Sequence, residues 1–240
     1  MTLDEILASL FPAGHEVRIT GSLIGGKATL PAAGGYIHVI GVAGGAPLGI
    51  EDAAILARRV LDVIETDQGA PILVLIDSAS QRMSRHDELL GLNEYLAHLA
   101  KALLFAEAQG HRTIGLLYGG SAAGAFIATA LATGTLVALP GAHPAVMDLP
   151  SMARVTKLPL AVLEEKAKTT PVFAPGLDNL AQTGAIHAVW DPAKPLAGQL
   201  AALLAGPAGQ DTRDRLGASR GGRPKAAEIA ARVIARASNA

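Results

Sequence analysis

A chain of 240 residues with 50% hydrophobic content and a formal net charge of -1 can bury one substantial core, and it lacks the cationic surplus of a nucleic-acid binder. Aromatic residues make up only 3%, so any site is built from backbone, small side chains and a few polar groups rather than from stacking platforms. With 0 cysteines, disulfide frameworks, thiolate metal sites and a cysteine nucleophile are excluded.

The first residues, Met1 to Gly14, contain acids and no basic segment before an apolar run, so they do not read as a signal peptide. No charge-free stretch reaches the length of a membrane span with loop asymmetry around it, and the expected location is cytoplasmic. An early β-rich part follows with EVRIT, KATL and YIHVIGVA, separated by the pairs Gly25-Gly26, Gly34-Gly35 and Gly44-Gly45. Ile50 to Thr66 has apolar positions at helical spacing, with Glu51 and Asp52 in the first turn where the helix dipole favours acids. Ala70 to Asp77 is the continuous apolar run of a strand buried on both faces. His86 to Gly110 reads as one long helix stopped by glycine, Thr113 to Tyr118 as a strand, and Ala125 to Gly134 as a helix.

Beyond these, TLVALPGA is a strand, LPLAVLEEKAK a helix, PVFAPGLDNLAQTG a punctuated connection and AIHAVWD a late strand. GPAGQDTRDRLGASRGGRP reads as a flexible loop and RPKAAEIAARVIARASN as a C-terminal helix. The alternation of strands and helices gives an α/β fold, divided into a main domain over 1–205 and a loop with a terminal helix over 206–240. The seven histidines are scattered and no metal-spaced cluster appears; His15, His38 and His187 read as surface or packing residues.

The stretch Tyr118 to Phe126, YGGSAAGAF, lies between a buried strand and a helix. From Gly119 to Gly124 it carries almost no side chain, so a ligand can approach the amides that a helix N-terminus leaves unpaired, and those amides favour a developing oxyanion or enolate. The plainer reading, that small residues merely let the helix pack on the sheet, stands beside it. VLIDSASQRMS occupies the equivalent place after the preceding strand. A right-handed crossover opens both strand ends at one carboxyl edge, so an N–H near Ser80 or Gln81 converges with one near Ala122 or Ala123.

Two convergent amides between ββα units resemble the crotonase superfamily, from about Tyr36 to Trp190, with Gly184, Ile186 and Val189 in its late-strand pattern. The resemblance implies a crotonase-like ββα superhelix with C-terminal helices. Hydratases of that superfamily carry a glutamate where Ala125, Phe126 and Ile127 stand here. In Clp-type proteases the nucleophile and histidine positions fall on Ala122 and Asp148, leaving only a shifted Ser121–His143 pair, and Ser121 is equally a helix cap. Carboxyltransferases of biotin-dependent carboxylases fit better, with turns matching Asp77-Ser78-Ala79-Ser80 and Tyr118-Gly119-Gly120, although Ala79 and Ser80 replace their Pro-Gly pair.

With GVAGGAPLGIEDA and HPAVMDLPSMARVTKLP included, the chain resembles the gamma-subunit family of biotin-independent malonate decarboxylases. That resemblance implies decarboxylation of a malonyl thioester, carried on the phosphopantetheine-like group of an acyl-carrier subunit, together with a homologous beta subunit. It implies no cofactor bound by this chain, no metal, no nucleic acid and no membrane. The implied catalytic set is Ser80, Gln81, Gly120, Ser121, Ala122 and Ala123; the implied substrate-binding set is Tyr118, Gly119, Gly124, His143, Asp148 and Arg82. The alternatives are a non-catalytic scaffold that completes its partner's site, and a stand-alone acyl-CoA isomerase or hydrolase.

Overall fold

The computed structural model of the chain describes residues 1–30, 35–171, 174–207 and 211–238. The first half runs α1 (Leu3–Leu10), β1 (Arg18–Thr20), β2 (Leu23–Leu30), β3 (Gly35–Leu48), α2 (Ile50–Thr66), β4 (Ile72–Gln81), α3 (Arg85–Leu89) and α4 (Leu92–Ala108). The centre holds β5 (Thr113–Leu117), β6 (Gly120–Ala122), α5 (Ala123–Phe126) with a π-helical turn over Ile127–Leu131, β7 (Thr135–Ala138) and β8 (His143–Ala145). The last part holds α6 (Leu149–Thr156), α7 (Leu160–Thr169), α8 (Leu177–Gln182), β9 (Ala188–Val189), α9 (Leu196–Ala205), α10 (Arg213–Ser219) and α11 (Ala226–Ser238).

The main sheet has the order β1-β2-β3-β4-β5-β7-β9, antiparallel from β1 to β3 and parallel from β3 onward. Alternation along β4 explains its unbroken apolar run, because each face has its own core. Ile72, Val74 and Ile76 join Val60 of α2 and Leu99 and Leu103 of α4, whereas Leu73 and Leu75 join Ile6 and Leu10 of α1 and Leu196 and Leu200 of α9. At Gly41 any β-carbon would strike the backbone carbonyl of Leu75, so the closest approach of β3 to β4 needs glycine. β6 and β8 form a separate parallel pair above the carboxyl edge of the main sheet.

Several expected boundaries move. The pair Gly25-Gly26 lies inside β2, and Gly44-Gly45, both left-handed (φ +72° and +62°), bulges β3 against β4 without ending it. Gly34 lies outside the described residues. The long helix is broken at Gly91 (φ +84°) into α3 and α4. Ser78 to Ser80, expected as a turn, is extended strand: without Pro-Gly, β4 continues along β3 as far as the pair Leu48–Gln81. The segment read as a flexible loop contains α10, tied back by arginines. Arg213 donates to the Leu131 carbonyl (2.9 Å), and Arg220 donates to the carbonyls of Ala181 (2.7 Å), Ile186 (2.8 Å) and His187 (2.7 Å).

Candidate active site

The carboxyl ends of β4 and β5 bring the two predicted strand ends side by side, and their contacts share one register. Asp77 Oδ1 accepts from Gly120 N–H (3.1 Å), the hydroxyls of Ser78 and Ser121 lie 2.9 Å apart, and Gln81 Oε1 accepts from Gly124 N–H (2.9 Å). Each pair is separated by 43 residues, so D-S-x-x-Q of one segment lies in step with G-S-x-x-G of the other. Asp77 Oδ2 also accepts from Gly45 N–H (3.2 Å), joining β3 to the same cluster. Any β-carbon at Gly119 would strike the Asp77 carboxylate, which accounts for the bare backbone there.

The amides of the second turn are oriented by β8. His143 N–H donates to the Gly119 carbonyl (3.1 Å), with the register Gly120–His143, Ser121–Pro144 and Ala122–Ala145. In a parallel ladder alternate residues face the partner strand, so Gly120 and Ala122 turn their N–H groups away from β8 and toward the end of β4. Gly124, one step on, also faces β4. The outer two amides of this row are occupied by Asp77 and Gln81, with Ala122 N–H between them. Ala122 is extended (φ -139°, ψ 157°) and half-buried.

Ala123 then turns the chain from strand into helix at φ +49°, a left-handed conformation rare for a residue with a β-carbon. This sharp elbow ends the extended segment directly after the Ala122 amide. It also excludes proline at 123, whose φ is held near -65°, and at Ala122 (φ -139°) proline fits no better, so the amide is deleted cleanly only by a backbone ester.

The remaining candidates fall into distinct places. Ser80 is half-buried, and its hydroxyl donates to the Gln81 carbonyl (3.0 Å). Ser121 is 2% exposed and engaged by Ser78, while exposed His143 places Nδ1 3.3 Å from the Gly141 carbonyl. No hydrogen bond joins Ser121 to His143 among the described residues, so the shifted serine–histidine pair is not assembled. Asp148 caps α6, accepting from Ser151 N–H (2.6 Å), and those hydrogen bonds hold its carboxyl below the ordinary range.

Arg82, expected beside an anionic substrate, is engaged within the chain. Its guanidinium binds Asp52 (2.6 Å) and Glu51 (3.2 Å) at the start of α2, and its own N–H donates to the Leu48 carbonyl (2.8 Å). It also supplies the positive charge facing Asp87, which is 1% exposed, with Oδ2 lying 3.7 Å from the guanidinium and accepting no hydrogen bond. The hydroxyl of Tyr118 is likewise buried without a partner; burial, and then the nearby Asp77 carboxylate, push its pKa up, so it stays a neutral O–H.

Sequence reasoning singled out the backbone of Gln81 and passed over the side chains of Asp77, Ser78 and Gln81. The signal that would have found them was the matched spacing of the two segments, each opening on a residue pair and closing three positions later.

The parallel ββα units with this elbow are a crotonase-like carboxyltransferase fold. The family model for malonate decarboxylase gamma subunits matches residues 43–237. The chain belongs to that family. It is similar to a subunit of a Pseudomonas malonate decarboxylase hetero-tetramer solved in complex with coenzyme A, at 24% identity and a TM-score of 0.75, covering 98% of both chains. It is also similar to one in the hetero-dimer MdcD-MdcE of a Pseudomonas malonate decarboxylase, at 26% identity and a TM-score of 0.72, covering 97% of both chains. A curated relative, the malonyl-S-ACP:biotin-protein carboxyltransferase MADD of Malonomonas rubra, is 30% identical over 149 residues, 58% of this chain and 51% of its own length. The chain thus spans about half the length of that relative. Among the described residues, no helix is long and apolar enough to cross a membrane.

Proposed function

We propose that this chain acts as the gamma subunit of a malonate decarboxylase, working with a homologous beta subunit on a malonyl thioester carried by an acyl-carrier subunit. The observation that carries the proposal is the Ala122 N–H, set between two anchored amides and turned away from β8, in a chain whose family match spans 43–237. In the reaction the bond between the α-carbon and the carboxylate breaks, its electron pair moves toward the thioester carbonyl oxygen, carbon dioxide leaves and the α-carbon takes a proton. Negative charge shifts from the carboxylate to the enolate oxygen, and a fixed amide donor stabilises it without reorganising. Ala122 N–H faces the departing carboxylate and fixes the breaking bond perpendicular to the thioester plane, and the beta subunit supplies the donors for the enolate.

The composition of the Pseudomonas assemblies as hetero-dimer and hetero-tetramer supports the division of labour. A stand-alone isomerase or hydrolase needs an acid, base or nucleophile at the second turn, where Ala125 and Phe126 are buried and Ser121 is paired with Ser78. The test compares carbon dioxide release from malonyl-loaded carrier by the isolated chain, by the isolated beta subunit and by their mixture. Turnover only in the mixture is expected; turnover by the isolated chain would overturn the proposal.

A further inference from the structure

The elbow at Ala123 is poorly supported by its own segment. α5 has only four residues before it widens into a π-helical turn, and its N-cap, Ala122, has no side chain that can bond the first-turn amides. Ala123 is left-handed without being glycine, which favours relaxation of the turn. The missing cap comes instead from another strand, because Gln81 Oε1 accepts from Gly124 N–H (2.9 Å). The fit is close: a β-carbon at Gly124 would lie 3.1 Å from that oxygen and 3.0 Å from Leu96 Cδ1. Gln81 is itself fixed by its pairing with Leu48 and by its neighbour Arg82, whose guanidinium is clamped to Asp52 and Glu51.

We propose that Gln81 is a positioning residue: its side-chain carbonyl holds Gly124 N–H and so keeps the elbow in the conformation that orients Ala122 N–H. The support runs from α2 through Arg82 and Gln81 to Gly124. The effect on turnover rests on the decarboxylase reading above; the conformational effect does not.

The test uses the gamma–beta complex with Gln81→Met, which keeps size but removes the acceptor, and Gln81→Glu, which keeps an acceptor oxygen. Hydrogen exchange at the Gly124 amide is expected to quicken about tenfold in Gln81→Met and to stay near the wild-type rate in Gln81→Glu. With malonyl-loaded carrier, Gln81→Met is expected to lower kcat about tenfold with KM within about twofold, as the loss of one hydrogen bond's worth of positioning implies. Because glycine adopts φ > 0 without cost, the same substitution made in an Ala123→Gly background is expected to lower kcat only about two- to threefold. Wild-type exchange at Gly124 in Gln81→Met would overturn the proposal, as would equal penalties in the two backgrounds or a rise in KM at unchanged kcat. If the wild-type complex releases no carbon dioxide, the functional reading fails while the exchange comparison still decides the role of Gln81.

Discussion

Asp77 offers the sharpest test of how the site is built. Its two carboxylate oxygens accept from two amides on different segments, Gly120 N–H (3.1 Å) and Gly45 N–H (3.2 Å). Hydrogen bonds to a charged group contribute about 1.5–3 kcal/mol each, and because Asp77 is only half-buried, water replaces part of that when they are lost. Asp77→Ala is therefore expected to destabilise the chain by about 2–3 kcal/mol, a fall in Tm of about 4–12 °C for a chain of this size. Asp77→Asn is expected to do no better despite its similar shape, because one carboxylate oxygen becomes an NH2 group and a donor then faces a donor. Thermal melts of the isolated chain, with turnover of the assembled complex, read both consequences. An Asp77→Asn protein that melts within about 1 °C of wild type would refute the reasoning, since the bridge between the glycine segments would then contribute little to the fold.

Arg82→Ala leaves buried Asp87 without its facing cation and frees the carboxylates of Asp52 and Glu51. Allowing for partial exposure of the guanidinium, we expect a loss of about 2–3 kcal/mol, read as a Tm lower by about 4–12 °C, and a normal melt would contradict the clamp. Tyr118→Phe removes an unpartnered buried hydroxyl and is expected to raise the Tm of the isolated chain by about 2–4 °C, so a lower Tm would show that the hydroxyl is bonded. The alkaline limb changes with it. The folded phenol is raised above its ordinary value of 10.0, so its contribution is intact below that pH and is lost as pH rises further and the unfolded chain ionises first. A shallower loss of stability above that point is expected in Tyr118→Phe, measured by melts across alkaline pH.

The central strands were legible because burial on both faces leaves uninterrupted apolar runs such as Ile72 to Ile76. The second turn was legible because a backbone that a ligand must approach cannot carry large side chains. Other features depend on partners distant in sequence. Nothing local distinguishes Gly44-Gly45, a bulge inside β3, from a strand-ending pair; the difference comes from Ala46 pairing with Ser78. The left-handed Ala123 opposes its own propensity and is held by tertiary contacts, so local reasoning places no elbow at that residue. The 206–224 segment looked flexible from composition; residues 208–210 lie outside the described residues, but in 211–224 Gly217 and Gly222 let the chain press against the backbone of Thr183 and Gln182 while Arg213 and Arg220 bind carbonyls. Arg82 looked like an anion receptor only because its acidic partners lie 30 and 31 residues earlier.

The most direct test of the account is the rate of carbon dioxide release from malonyl-loaded carrier by the gamma–beta complex, wild type against a variant in which L-lactic acid replaces alanine at 122 and turns that amide into a backbone ester, after assembly of both has been verified. The ester deletes the middle amide of the row without constraining φ, and the account predicts a fall in kcat of about 10²-fold, equivalent to about 3 kcal/mol in the barrier, because the departing carboxylate loses its orientation. Undiminished turnover in the assembled variant would contradict it, leaving the YGGSAAGAF turn as architecture and the chemistry with the partner subunit.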